Sequence, residues 1–350
     1  MYKSCNLILH GLCFFANDVG ACCNSPADQI DNQRPPILYE NYEGQIIPKE
    51  ELFAKIHSFS NMFKEGGCPP SCKNCCFIQE KDWDEGDYIN EITITNFSAC
   101  NAQCIYCANT LSRENVQYQP YSIFPILKHY KDIGVIKEGV EFHISGGEFT
   151  IYPECEAIME EFGVTNFAKI VISSNCIVYS EKIKQSIELG DTNIIHSLDC
   201  GSRDLYKKIK GVDAFDRVVN NLKSYATSEK AQNKISLKYI IIPTVNDNLQ
   251  EFSRFLKVTK EIGLKRVIIE IEGRYTRNVE YKIDPYFIYL AKQMKQKAEK
   301  EGFYAELFPF LKQCMQDIES KDYSLLEIIQ KKLQHKSNKM FKELYFGKTK

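Results

Sequence analysis

The sequence predicts an α/β protein of six βα units, with a small cysteine-rich module ahead of them and a helical extension behind. Three observations predict it. From residue 91 onward, short β-branched and apolar runs alternate with amphipathic stretches, the pattern of parallel strands joined by helical crossovers. Residues 1–80 hold Cys5, Cys13, Cys22, Cys23, Cys68, Cys72, Cys75 and Cys76, more than half of the 15 cysteines in under a quarter of the chain, so this stretch reads as its own unit. Residues 282–350 read as helices rich in Lys and aromatic residues, without a cysteine cluster. The expected division is therefore 1–85, 86–280 and 281–350.

Composition agrees with a large folded protein: 350 residues, 44% hydrophobic and 26% charged. The 44 basic against 46 acidic residues give a formal charge of −2, which argues against capture of nucleic acid or of an anionic membrane. The cysteines cluster in a way unlike the scattered pairs of a secreted disulfide scaffold, so metal and a reducing cytoplasm are expected. Residues 1–16 contain a short apolar run, but His10, Gly11 and two cysteines interrupt it, and it reads as no signal peptide. No apolar run approaches the length of a membrane span.

Taken in order, residues 6–15 read as a strand, 17–20 as a turn and Cys22-Cys23 as the return arm of a hairpin. Residues 24–37 form a polar loop, and 50–63 a helix with Leu52, Phe53, Ile56 and Phe63 on its apolar face. Trp83 and Tyr88 are expected to seal the contact between this module and the βα series. The strands of that series are expected at 91–97, 140–145, 168–174, 193–199, 235–242 and 265–271, and the helices near 121–134, 152–162, 179–189, 203–227 and 249–262. His143, inside the second strand, reads as a packed residue. Cys155 and Cys314 read as structural.

The chemistry is expected where the first of these strands ends. Ile92-Thr93-Ile94-Thr95 alternates as a strand should, and the loop behind it carries Cys100, Cys104 and Cys107. Three thiolates in Cys-x3-Cys-x2-Cys spacing would leave one iron of a four-iron cluster without a protein ligand, open for chemistry. A second triplet, Cys68, Cys72 and Cys75, has the same spacing but follows glycine and proline, and carries Asn74 where the other has Tyr106. Spacing alone also permits zinc at either place.

The triplet Cys100, Cys104 and Cys107, with Tyr106 before its last cysteine, resembles the signature of radical S-adenosylmethionine (radical SAM) enzymes. The resemblance implies a partial TIM-like (β/α)6 barrel, a 4Fe-4S cluster whose open iron chelates SAM, and Tyr106 lying against the adenine. Ser145-Gly146-Gly147-Glu148 ends the second strand and resembles the family's Gly-Gly-Glu motif, which binds the SAM amino group. Ser174 and Asn175 end the third strand, and Ser197 and Asp199 the fourth. Their short hydroxyl, amide and carboxylate groups suit the ribose and carboxylate of SAM, and equally suit helix capping. The run from Ser197 to Gly211, with Arg203, Tyr206 and Lys210, is also reminiscent of the family. Residues 242–248 resemble its adenine-pocket segment, with Asn246 and Asn248 alternatively capping the next helix. Glu270, Glu272 and Arg274 are expected at the barrel mouth. Cys176 and Cys200 lie beside the expected pocket, as hydrogen donors or as buried thiols.

The N-terminal module resembles a SPASM or twitch domain, the auxiliary-cluster module appended to many radical SAM enzymes, although that module ordinarily comes after the barrel. This implies one auxiliary 4Fe-4S cluster held by Cys72 and Cys75 with two of Cys13, Cys22, Cys23 and Cys68, zinc being the alternative. The expected function is reductive cleavage of SAM and hydrogen abstraction from a peptide or protein side chain, with electrons from a flavodoxin- or ferredoxin-type donor. The alternatives are modification of a sugar or other small molecule, and a non-catalytic iron-sulfur protein that carries electrons or senses redox state.

Overall fold

The computed structural model describes residues 1–22, 35–73, 75, 77–107, 121–272, 284–308 and 311–312. The chain divides into two compact units, one of residues 1–101, 116–174 and 178–194, the other of residues 102–115, 175–177 and 195–350. No helix among the described residues is long and apolar enough to cross a membrane.

The first unit begins with β1 (Tyr2–Ser4) and a short helix, Asn6–His10, followed by β2 (Gly11–Phe14), β3 (Val19–Gly20), β4 (Ile37–Tyr39) and the helix Lys49–Lys64. Then come β5 (Gln79–Lys81), β6 (Ile89–Ile94), β7 (Ile136–Ile144) and β8 (Ala168–Ser173). β1 pairs antiparallel with β5. β4, β3 and β2 form an antiparallel set, and β2, β6, β7 and β8 run parallel in that order. Parallel strands need their faces covered, and Ile92, Phe142, Ile144, Ile170 and Ile172 are all buried. Phe142 meets Phe162, from the segment between β7 and β8, at 5.0 Å between ring centroids.

Residues 6–15 are not the one strand expected: Asn6–His10 is helical, and only Gly11–Phe14 is extended. Leu7-Ile8-Leu9 suits either state by its apolarity. The His10 ring decides locally, meeting the Tyr88 and Asp84 carbonyl oxygens at 3.0 and 2.9 Å and stacking on Tyr88. The hairpin does form, but its return arm is Val19–Gly20, with Cys22 just beyond it and Cys23 outside the described residues. The boundary expected at residue 85 falls inside the first unit, because Gly11–Phe14 pairs with Glu91–Ile94 and joins the N-terminal hairpin to the sheet of β6. Trp83 donates to the Tyr2 carbonyl and Tyr88 packs on His10, so both hold the first residues of the chain to this unit. His143 is half-exposed beside Glu141 and Glu91, not packed in a core.

β9 (Thr192–Ser197) carries the chain into the second unit, which contains β10 (Ile235–Ile241), β11 (Arg266–Ile271) and β12 (Tyr304–Leu307), mutually parallel in that order. Its helices include Arg203–Lys210, Phe215–Tyr225, Leu249–Ile262 and Pro285–Lys300. Tyr239 packs edge-on against Phe252 and Phe255, tying β10 to the helix behind it. Asn248 caps that helix by accepting from the Glu251 N–H, and Gly263 ends it in the left-handed conformation. The single helix expected over 203–227 is two, separated at Gly211. Residues 282–350 are not only helical, since β12 adds a parallel strand beside β11. Arg274 and Cys314 lie outside the described residues.

Candidate functional site

In the first unit, the end of β7 runs against the loop that leaves β6 toward Cys100. The Ser145, Gly147 and Glu148 N–H groups donate to the carbonyls of Ile94, Phe97 and Ala99. A Cβ on Gly146 would stand 2.7 Å from the Phe97 oxygen, and one on Gly147 2.2 Å from the Ala99 oxygen. Gly146 also has a φ of 108°. The two glycines thus serve first to let the cysteine-bearing loop approach, a reason the sequence did not disclose. Glu148 is 1% exposed, and its Oε1 accepts from the Ser174 hydroxyl at 2.8 Å and the Thr150 hydroxyl at 2.7 Å. Gly146, Gly147, Glu148 and Ser174 are therefore brought together at neighbouring strand ends.

In the second unit, Cys104 and Cys107 share one turn, closed by the Cys107 N–H donating to the Cys104 carbonyl. The turn is clamped to the end of the helix Arg203–Lys210, since the Gln103 and Ile105 N–H groups donate to the Lys210 and Ile209 carbonyls. Gly211 permits this. It sits at φ 70°, and a Cβ there would meet the Gln103 oxygen at 2.8 Å.

Tyr106 is anchored by its hydroxyl, which donates to Asp199 Oδ2 at 2.7 Å and accepts from Lys210 Nζ at 2.6 Å. Lys210 Nζ also pairs with Asp199 Oδ2 at 2.5 Å, with both side chains buried. Burial, followed by the Asp199 charge, pushes the Tyr106 phenol well above its usual range, so it stays a donor. Burial pulls the Lys210 ammonium down, but the negative charges of Asp199 and Cys104 outweigh it and the net shift is upward. A buried cation beside Cys104 favours the thiolate that a metal needs.

Asp199 is itself held in a costly conformation, with φ 63°. Its Oδ1 accepts from the Ile240 N–H, and its carbonyl accepts from the Asn246 amide. Asn246 is buried, donates also to the Ile240 carbonyl, and accepts from the Ile242 N–H. Asn248 is thus the helix cap, and Asn246 is the brace. Cys176 and Thr244, at φ 54° and 65°, repeat the left-handed conformation just past other strands. Ser197 hydrogen-bonds to the Tyr106 hydroxyl, and the Asn175 side chain accepts from the Ile177 N–H. The Cys200 thiol donates to the Leu198 and Ser202 carbonyls, and burial pushes it up to about 12, so it stays protonated. Glu272 is buried at the end of β11, and Glu270 pairs with Lys238.

Residues 94–256, from the end of β6 into the helix Leu249–Ile262, match the Radical SAM superfamily. That stretch, a little under half of the chain, is what the radical SAM likeness rests on. The radical SAM match is accompanied by two distant curated relatives. One is the GTPase Obg of Brachyspira hyodysenteriae, 25% identical over 55% of this chain and 29% of its own length. The other is a probable GTP 3',8-cyclase of Saccharolobus solfataricus, 24% identical over 53% of this chain and 58% of its own length. The chain thus spans less than two thirds of either. In fold it is similar to SuiB of Streptococcus suis, solved with its precursor peptide SuiA, with a TM-score of 0.51 and 14% identity over 85% of this chain and 69% of that one.

Radical SAM proteins use a 4Fe-4S cluster and SAM, and the residues present fit such a group. Cys100 is exposed and Cys104 and Cys107 are half-exposed, so all three thiols are reachable, and an all-sulfur donor set suits iron-sulfur chemistry. Of the residues the sequence pointed to, the structure joins Tyr106, Ser197 and Asp199 in one network. Lys210, Asn246 and Gly211 were missed as its supports. Lys210 had one signal: it lies four residues after Tyr206 on the buried stripe of its helix, an unusual place for an ammonium unless paired.

Proposed function

We propose that this chain is a radical SAM enzyme that reductively cleaves SAM and abstracts a hydrogen from a peptide or protein side chain. The observation that carries the proposal is the Cys100, Cys104, Cys107 loop, clamped at Gln103 and Ile105 and joined through Tyr106 to a buried Asp199–Lys210 pair. A bound cluster would supply the single electron that reductive cleavage of SAM needs. The chain's own part is to position. Cys100, Cys104 and Cys107 hold the cluster, Tyr106 lies against the adenine, and Gly146, Gly147 and Glu148 receive the amino group. Ser174, Asn175, Ser197 and Asp199 shape the remainder of the SAM site, Ser197 and Asp199 chiefly by fixing Tyr106. A flavodoxin- or ferredoxin-type protein supplies the electron.

The peptide reading rests on the resemblance of the N-terminal module to SPASM domains and agrees with the precursor peptide in the SuiB structure, which this chain is similar to in fold. A small-molecule reading is favoured instead by the relatives named as probable GTP 3',8-cyclases. Anaerobic reconstitution with iron, sulfide, dithionite and SAM, followed by assay of 5'-deoxyadenosine, tests the shared chemistry. Adding GTP or a candidate precursor peptide then separates the two, since only the true substrate accelerates SAM consumption and gains a new mass.

A further inference from the structure

Tyr206 carries a hydroxyl that the second unit buries without using. The residue is 0% exposed, and its hydroxyl has no hydrogen-bond partner among the described residues. Packing does not require the oxygen, since the Tyr206 ring meets Phe215 edge-on at 5.7 Å between centroids, a contact that phenylalanine would make equally well. A buried donor without an acceptor is costly, and buried polar groups in folded proteins are nearly always hydrogen-bonded. Such a group points to a partner that joins the fold afterwards.

The surroundings of Tyr206 indicate which partner. Tyr206 stands one turn before Lys210 in the helix Arg203–Lys210, so the two share a face of that helix. Lys210 Nζ reaches the Tyr106 hydroxyl at 2.6 Å. The Ile209 and Lys210 carbonyls receive the Ile105 and Gln103 N–H groups, so Cys104 is pinned to this helix by the residues on either side of it. Burial pushes the Tyr206 phenol upward, and of the charges around it Cys104 adds most, ahead of Cys176, Cys200 and Asp199. Two of these neighbours are engaged elsewhere. The Cys200 thiol donates to the Leu198 and Ser202 carbonyls, and the Asp199 carboxylate accepts from the Ile240 N–H, Tyr106 and Lys210. Cys104 belongs to the triplet that fits a metal, and a thiolate accepts a hydrogen bond far better than a thiol.

We propose that the Tyr206 hydroxyl is the hydrogen-bond donor to the Cys104 sulfur of a bound 4Fe-4S cluster, a positioning residue that raises the cluster's reduction potential. This rests on the radical SAM reading of the triplet Cys100, Cys104 and Cys107. A hydrogen bond to a ligand sulfur stabilises negative charge, and reduction adds one more, so the donor favours the reduced cluster. Without the metal Cys104 is a weak acceptor, and the hydroxyl stays idle.

Tyr206→Phe deletes only the oxygen. In the cluster-free full chain it should melt no lower than the parent, because no bond is lost. Reconstituted anaerobically with iron and sulfide, it should hold as much iron as the parent. Its midpoint potential, read by electron paramagnetic resonance during a mediated dithionite titration, should be more negative, with shifted g-values. A cluster-free variant that melts well below the parent would overturn the proposal, because the hydroxyl would then already be in use. So would an unchanged potential and spectrum in a variant carrying full iron. A parent chain that takes up no cluster would overturn the radical SAM reading and this proposal together, whereas the other two outcomes strike the proposal alone.

Discussion

Two triplets with the same Cys-x3-Cys-x2-Cys spacing stand in different surroundings, and the difference shows what spacing leaves undetermined. Of Cys68, Cys72 and Cys75, Cys72 ends a proline-started 3-10 turn and is buried, which pushes its thiol up to about 12. Cys104 and Cys107 sit in a turn clamped to a helix end, close to the buried Lys210 ammonium, and Cys100 leaves β6 exposed. The spacing is the same in both, and the long-range partners set the burial and the local charge.

The largest way to break this comparison is to remove the cation beside the second triplet. Lys210→Met leaves Asp199 buried and unpaired, and should cost about 3–5 kcal/mol in denaturant unfolding. Lys210→Arg should recover part of that. If Lys210→Met unfolds like the parent protein, the pair does not anchor Tyr106. Asn246→Ala comes next, because it strands the Ile242 N–H and the carbonyls of Asp199 and Ile240, with an expected loss of about 1–3 kcal/mol.

Glycine substitutions sharpen the contrast. Gly147→Ala drives a Cβ to 2.2 Å from the Ala99 carbonyl and should cost about 1–3 kcal/mol as the loop to Cys100 shifts. Gly66, ahead of the first triplet, has nothing within 4 Å of the same atom, so Gly66→Ala should cost only the roughly 1 kcal/mol of its positive φ. Comparable melts for the two would mean that the Gly-Gly segment is not a steric requirement. The smallest effect concerns Cys200. With its thiol near 12, only roughly one part in ten thousand is thiolate at pH 8, so iodoacetamide should leave it unmodified in the native protein. Rapid labelling of Cys200 would place it in an accessible site instead.

The α/β class was legible because the strands after residue 91 carry β-branched alternation and their helices carry clear ends. Asn248 and Gly263 mark Leu249–Ile262 to the residue. The helix Asn6–His10 was not legible, since its conformation depends on His10 finding carbonyl partners more than seventy residues away. The break at Gly211 was hidden for the same kind of reason: the glycine is needed for its approach to Gln103, a contact between distant segments. In the candidate site, Cys100, Cys104 and Cys107 stood out by local spacing and Tyr106 by resemblance. The supporting roles of Lys210 and Asn246 could not be read, because each acts through a partner that only the folded chain brings near.

The most direct measurement is 5'-deoxyadenosine formed by the reconstituted full chain beside its Cys107→Ala and Cys75→Ala variants. The expected result is SAM cleavage by the parent, none by Cys107→Ala, and residual uncoupled cleavage by Cys75→Ala. Cleavage that survives in Cys107→Ala and disappears in Cys75→Ala would contradict the assignment of the two triplets.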